Sequence, residues 1–211
     1  MNYWTSLYER AKEEPYHLIP GILSLMNGYW HKLKFFLLGK NVKIGKCFRV
    51  YGKFRIFGPG RVEIGDYCLF DSSLFGITTF YTGFPQAKIT IGHHVTTNAM
   101  VLQCYHSITI GDYCSLADSY LMDSQGHHLA ADRRFLPTND VPGAPIVLEK
   151  NVWVCSKVVV LHGVRIGENS VIAACSLVKK DVPANSFYSG NPARFVGPIP
   201  STARNESTPL N

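Results

Sequence analysis

Aliphatic residues recur at every sixth position through Leu148, Val154, Val160, Ile166, Ile172 and Val178, and Val152, Val158 and Val164 stand two places before the next three of them. Neither the 3.6-residue helical period nor simple strand alternation gives that spacing. A six-residue period rich in β-branched residues predicts short strands separated by turns, with one side chain from each flat face entering a narrow interior. Three such faces close a triangular coil of about eighteen residues, so the fold expected is all-β, a parallel β-helix of hexapeptide repeats.

The aliphatic position is often followed by Gly and a polar residue, as in Ile44-Gly45-Lys46, Ile64-Gly65-Asp66, Ile91-Gly92-His93, Ile110-Gly111-Asp112 and Ile166-Gly167-Glu168. Glycine suits a corner where a Cβ would clash. The phase holds over Ile44, Val50, Ile56 and Val62, then slips and restarts at Ile64, Ile91 and Ile110, and slips mark loops leaving the coil. Two stretches break it most: residues 72–88, rich in aromatics and Gly, and residues 123–145, which carry His127, His128, Arg133, Arg134 and three prolines. Insertions on a repeat scaffold commonly build its binding face, so these loops are the candidate site.

Ahead of the repeat, residues 3–14 read as a short helix and residues 16–38 as an apolar segment. Pro20, Gly21, Gly28, His31, Lys32 and Lys34 make the latter a poor membrane span. It is expected to cap one end of the β-helix, with peripheral attachment to a membrane surface as the alternative. The organisation expected is an N-terminal helical and apolar cap (1–40), a β-helix domain (41–197) with a protruding loop, and a polar, mobile tail (198–211).

At 211 residues, 46% hydrophobic and 17% charged, the chain is too apolar for disorder and suggests surface given over to self-association. The net charge of +6 and pI near 9.0 favour an anionic partner without choosing among phosphorylated cofactors, nucleotide sugars, membranes and nucleic acid. Six cysteines (Cys47, Cys68, Cys104, Cys114, Cys155, Cys175) form no C-x-x-C pair, which excludes a zinc ribbon or thioredoxin-type motif and leaves most of them as small core residues. The N-terminus lacks the basic start and apolar run of a signal peptide, so a cytoplasmic protein with reduced thiols is expected, placed in the alternative at the inner face of the membrane.

Three ordered motifs carry more information than the period. They are Ile110 to Ala117 followed by Met122-Asp123-Ser124-Gln125-Gly126-His127-His128-Leu129, then Asn151-Val152-Trp153-Val154, then Lys180-Asp181-Val182-Pro183 with Gly190-Asn191-Pro192-Ala193-Arg194. On these the chain resembles the galactoside, maltose and polysaccharide (colanic acid, capsule and O-antigen type) O-acetyltransferases of the hexapeptide class over residues 41–196, most strongly from Ile91 onward. It departs from them at His128, where the family has proline, and at Cys155 and Cys175, where coil glycines are usual.

The resemblance implies a left-handed coil and transfer of acetyl from acetyl-CoA to a hydroxyl of a sugar or cell-envelope polysaccharide precursor, with no metal and no nucleic acid involved. The loop histidine of the family maps to His127 as general base; a neutral imidazole suits that role near neutral pH. Asp123 would hold its tautomer or bind a sugar hydroxyl, or serve only the turn. Asn98 falls one residue from a family acceptor-binding position. Trp153 would border the transfer site, and Ser156 maps to a position whose N–H stabilises the tetrahedral oxyanion. Ala174, Lys179 and Lys180 match the pantetheine groove, and Arg194 a position near the nucleotide phosphates. Such sites lie between subunits of a homotrimer, and attack is direct, without an acyl-enzyme.

Two other readings share the fold: an N-acetyltransferase acting on a nucleotide-linked amino sugar, and a non-catalytic or carbonic-anhydrase-like β-helix. The latter would need three zinc-binding histidines on adjacent coils, a pattern that His93, His94, His106, His127 and His128 do not form. The acceptor would be read by residues 74–85 and 133–145, where Phe75, Phe80, Tyr81 and Phe84 suit either sugar stacking or a core.

Overall fold

A computed structural model describes residues 18–74, 76–137 and 141–200. The helix expected over residues 3–14, Phe75 and most of the polar tail lie outside the described residues. From Asn41 the chain winds as a parallel β-helix of about seven turns. Its repeat length is read from the strand register: Val147 pairs with Arg165, Trp153 with Val171 and Val159 with Leu177, each eighteen residues on.

The first face stacks Val42–Ile44, Arg61–Ile64, Lys88–Ile91, Ser107–Ile110, Ile146–Leu148 and Arg165–Ile166. The second begins at Arg49–Tyr51 and continues through Leu69–Asp71 to Trp153–Val154 and Val171–Ile172. Strands Thr96–Cys104 and Ser115–Met122 run along the second face and around the corner onto the third, where they meet Ile77–Thr82 and Val159–Val160. Every aliphatic residue of the six-residue series from Leu148 to Val178 is at most 1% exposed, so the period is the interior of the coil. Near the N-terminal end the interior is filled by Phe48, Phe54, Phe70 and Phe80, edge to face at 5.0–5.8 Å.

At the corners a Cβ would clash, as expected, and the clash is with the next turn of the coil. Gly65, Gly92 and Gly111 do not have positive φ. A Cβ at Gly65 would lie 2.5 Å from Gly92 O, and one at Gly111 2.7 Å from Glu149 C, so these glycines admit the close approach of the next turn. The left-handed conformation falls two residues later, on Cys47, Tyr67, His94, Tyr113, Asn151, Asn169 and Asn185, all with φ between 52° and 61°. Stacking along the corner holds them there. The His94 ring lies 5.1 Å from Tyr67 and 4.9 Å from Tyr113, and Asn169 donates to Asn185 and accepts from Asn151, both at 2.9 Å. Asn tolerates this backbone; for the aromatic residues the stack offsets the strain. At the next corner Cys175 occupies the left-handed region at φ 60°, where the family's glycine would be unstrained.

One segment corrects the sequence reading. The aromatic stretch 72–88 contains a strand, Ile77–Thr82, parallel to both Lys53–Phe57 and Thr96–Cys104. Thr78, Phe80 and Thr82 point inward and are fully buried, so β-branched and aromatic alternation won over the local Gly content. Residues 16–38, the apolar segment of the expected helical and apolar cap, hold a helix, α1 (Leu18–Leu37). Pro20 stands in its first turn, where no N–H is needed, and α1 closes at Gly39 with φ +61° and bonds from Gly39 N to Phe36 O and Lys40 N to Phe35 O. Gly28 is required by contact, since a Cβ there would lie 1.9 Å from Phe48 O.

Of the six cysteines, expected to be mostly core, Cys68, Cys104 and Cys114 are fully buried, whereas Cys47 and Cys155 are half-buried and Cys175 is exposed. Burial pushes the Cys68 thiol up to about 12 and that of Cys114 up to about 11, which keeps both inert.

Candidate active site

The stretch 123–145 leaves the third face after Met122 and returns at Ile146. Ser115 pairs with Trp153, thirty-eight residues on, which is twenty more than one turn. Its base is tied at three points: Asp123 O accepts from Ala144 N at 2.9 Å, Gln125 N donates to Pro142 O at 2.9 Å, and Ser124 bridges Gly143. Gly143 is held against the coil so closely that a Cβ would lie 2.5 Å from Asp123 O and 2.6 Å from His106 Nε2. Gly126, at φ +74°, then turns the chain so that His127 projects.

His127 is exposed and lies at a cavity of about 340 Å³ shared with Tyr81, Gly83, Phe84, Gln103, Tyr105, Met122 and Gln125. Tyr105 forms its wall, with the Tyr81 ring at 5.9 Å and the Phe84 ring at 5.6 Å, both edge to face. Its hydroxyl accepts from Gln103 Nε2 at 3.1 Å, and the Gln103 carbonyl accepts from the Tyr120 hydroxyl. Burial pushes the Tyr120 phenol up, so it stays a donor in this chain. The cavity therefore offers aromatic surface, amide groups and one imidazole, a lining suited to a neutral polyhydroxylated molecule.

Asp123 is close in sequence to His127 but faces the other way. It is fully buried, its Oδ1 accepts from Tyr105 N at 2.7 Å, and its Oδ2 accepts from His106 N at 2.8 Å and from the Cys104 thiol at 3.4 Å. The carboxylate is thus occupied in fixing the turn that carries Tyr105 rather than directed at the imidazole. His128 is engaged separately, its Nε2 lying 2.9 Å from Pro137 O.

The other candidates occupy different parts of the coil. Asn98 is exposed on the second face between Asp71 and Ala117 and does not line the cavity. Trp153 is 53% exposed on the same face, paired with Ser115 and Val171. Ser156 and Ala174 stand one turn apart at the corner between the second and third faces, where Ser156 O accepts from Cys175 N. Lys179 and Lys180 are exposed after Leu177–Val178, and Arg194 is exposed on the terminal hairpin, opposite Ser189. None of these lines the His127 cavity of the same chain.

Of the expected aromatic residues, Tyr81 and Phe84 meet His127, whereas Phe80 is core. Gln103, Tyr105 and Met122 were not foreseen. Tyr81, Gln103 and Met122 are register partners on adjacent turns, but unequal insertions put them twenty-two and nineteen residues apart and hide the alignment from a fixed period. Among the described residues no three His, Cys, Asp or Glu side chains are grouped as metal ligands. His94 is stacked between two tyrosines and His93 Nδ1 accepts from Asp66 N at 3.0 Å.

A triangular parallel coil with an aliphatic ladder and a loop carrying a projecting histidine defines a hexapeptide-repeat β-helix protein. Residues 145–180 match the family model described as bacterial transferase hexapeptide (six repeats). It is 37% identical over 94 residues to the galactoside O-acetyltransferase of Escherichia coli (44% of this chain, 45% of that protein). It is 32% identical over 131 residues to that of Lactococcus lactis (62% and 59%). The chain thus spans about half the length of these curated relatives. A hexapeptide-repeat acetyltransferase of Vibrio cholerae, solved with acetyl-CoA, superposes with a TM-score of 0.51 at 34% identity, covering 57% of this chain and 65% of that one.

Proposed function

We propose that the protein transfers acetyl from acetyl-CoA to a hydroxyl group of a sugar or saccharide precursor, with His127 as general base. The observation that carries this reading is the projecting imidazole of His127 beside an aromatic, amide-lined cavity, on the loop whose motif resembles the O-acetyltransferases. The relatives named galactoside O-acetyltransferase and the acetyl-CoA complex of the Vibrio protein support it.

In this mechanism the acceptor hydroxyl lies against Tyr81, Phe84 and Tyr105, and its oxygen attacks the thioester carbonyl carbon directly. Neutral His127 takes the hydroxyl proton as the C–O bond forms. The tetrahedral oxyanion is held by a backbone N–H at Ser156 beside Trp153. The C–S bond then breaks, His127 returns its proton to the departing thiolate, and ester and free CoA result. Ala174 lines the pantetheine path, with Lys179, Lys180 and Arg194 towards the phosphates. Because these groups do not line the His127 cavity of their own chain, the reading requires a homotrimer in which His127 faces Trp153 and Ser156 of a neighbour. Asp123 is a positioning residue that fixes Tyr105 and the loop base. Asn98, on the open second face, binds acceptor only if the neighbouring subunit closes over it.

Free thiol release from acetyl-CoA, screened over hydroxyl sugars and amino sugars, tests the reading. O-Acetylation of a sugar, giving a product labile to mild base, is expected. A base-stable amide formed only with amino sugars would instead assign N-acetylation. Damage from His128→Ala but not His127→Ala would move the base by one residue.

A further inference from the structure

Helix α1 lies against the unpaired edge of the first turn. Val42–Ile44, Arg49–Tyr51 and Lys53–Phe57 each pair with a strand on one side only, and on the other side Asn27 Nδ2 donates to Val50 O at 3.1 Å while His31 and Phe35 pack on Phe54 at 5.4 and 5.9 Å. The buried stripe of α1 is narrow: Ser24, Gly28, His31 and Phe35. The opposite face is apolar without interruption. Ile19, Ile22, Met26, Trp30, Leu33 and Leu37 are 49–69% exposed, and no charged residue stands among them. Since α1 covers the end of the coil, this face points along the coil axis, away from the turns. In a trimer formed side by side along that axis, the lateral interfaces leave all three such faces uncovered and coplanar.

Charge identifies what would cover them. Residues 18–62 contain six lysines and three arginines and no Asp or Glu, leaving the rest of the chain at net −3 against a whole-chain +6. Lys32 and Lys34 flank the apolar face of α1 on its two sides, and Lys43 and Lys46 are exposed on the adjoining turn. An uncharged apolar face bordered by lysines, with aromatic Trp30 and Tyr29 on it, is the lining of a helix that lies in a lipid headgroup region. No helix among the described residues is long and apolar enough to cross a membrane.

We propose that the α1 end of the molecule docks flat onto an anionic lipid surface, Met26 and Trp30 entering the acyl boundary and the lysines meeting the headgroups. A second copy apposed end to end would instead bring two strongly basic ends together, which charge disfavours.

The test is flotation of the full chain with phosphatidylcholine vesicles with and without phosphatidylglycerol. Binding is expected only with the anionic lipid, with a blue shift of tryptophan emission that Trp30→Phe removes, and with release by salt. Lys32→Gln/Lys34→Gln/Lys43→Gln, which leaves the apolar face and its packing intact, should weaken binding about a hundredfold, each lysine contributing a factor of about five. Met26→Glu/Leu33→Glu should abolish it, with circular dichroism confirming the fold. Equal binding to neutral vesicles, binding that survives the glutamates, or a doubled assembly in solution that the glutamates split would each overturn the proposal. Flotation does not depend on acetyl transfer, so its outcome is separate from that of the proposed activity.

Discussion

Asp123→Asn separates a residue that acts on His127 from one that holds the loop in place. The substitution keeps the volume and replaces one oxygen by an NH2 group. In the native site Oδ1 and Oδ2 each accept a backbone N–H, from Tyr105 and His106, at 2.7 and 2.8 Å. Whichever way the amide is turned, one of these buried N–H groups faces another donor. An unsatisfied donor costs about 1–3 kcal/mol, and loss of charge assistance in the remaining bond about 1 kcal/mol more. For a chain of this size a loss of roughly 2–4 kcal/mol lowers Tm by on the order of 10 °C. Thermal unfolding by circular dichroism reads that fall. The pH profile of thiol release, measured well below the transition, reads the role. Reduced turnover with the imidazole limb unmoved is expected. An unchanged Tm with lost turnover and a displaced imidazole limb would instead return Asp123 to direct action on His127.

Three further predictions follow from local geometry. Burial, with Lys34 nearby, holds the His31 imidazole down at about 4, below its ordinary 6.5, so the unfolded chain binds the proton more readily and stability is lost as pH falls from 6.5 towards 4. The loss should reach about 2 kcal/mol by pH 5 in urea unfolding and be absent in His31→Leu; identical pH profiles would contradict it. Gly83→Ala places a Cβ 2.6 Å from the Tyr105 ring and should push that ring into the cavity, lowering kcat/KM by about tenfold with the assembly mass unchanged. Asn169→Ala removes both amide bonds of the corner ladder and puts Ala at φ 59°, so urea unfolding should show a loss of about 2 kcal/mol, greater than for Asn169→Gly.

The coil was legible because its interior takes aliphatic residues at fixed places, the six-residue series together with Val152, Val158 and Val164 two places before it, all at most 2% exposed. A side chain such as Val160 or Ile166, sealed in a narrow prism, has no alternative to an aliphatic residue. The corner glycines were legible as positions where a Cβ would clash, but the atoms they avoid were not: these lie on the next turn, which a single repeat does not contain. Helix α1 was obscured because Gly28 answers to Phe48 O, a contact twenty residues away, and its apolar outer face erases the amphipathic period. Ile77–Thr82 is hidden in the sequence because its partners, Lys53–Phe57 and Thr96–Cys104, lie at uneven separations. The site was half visible. His127 is marked by its motif, whereas Gln103, Tyr105 and Met122 join it only through a strand register shifted by insertions, and the orientation of Asp123 depends on backbone N–H groups that no pattern of side chains reveals.

Single-turnover thiol release from acetyl-CoA with the best hydroxyl acceptor, comparing the native chain with His127→Ala, decides whether this β-helix carries an acetyl-CoA-dependent transferase site at His127. A fall of at least about a hundredfold in the chemical step is expected, with acetyl-CoA affinity and assembly mass unchanged. Turnover near the native rate in His127→Ala would contradict it.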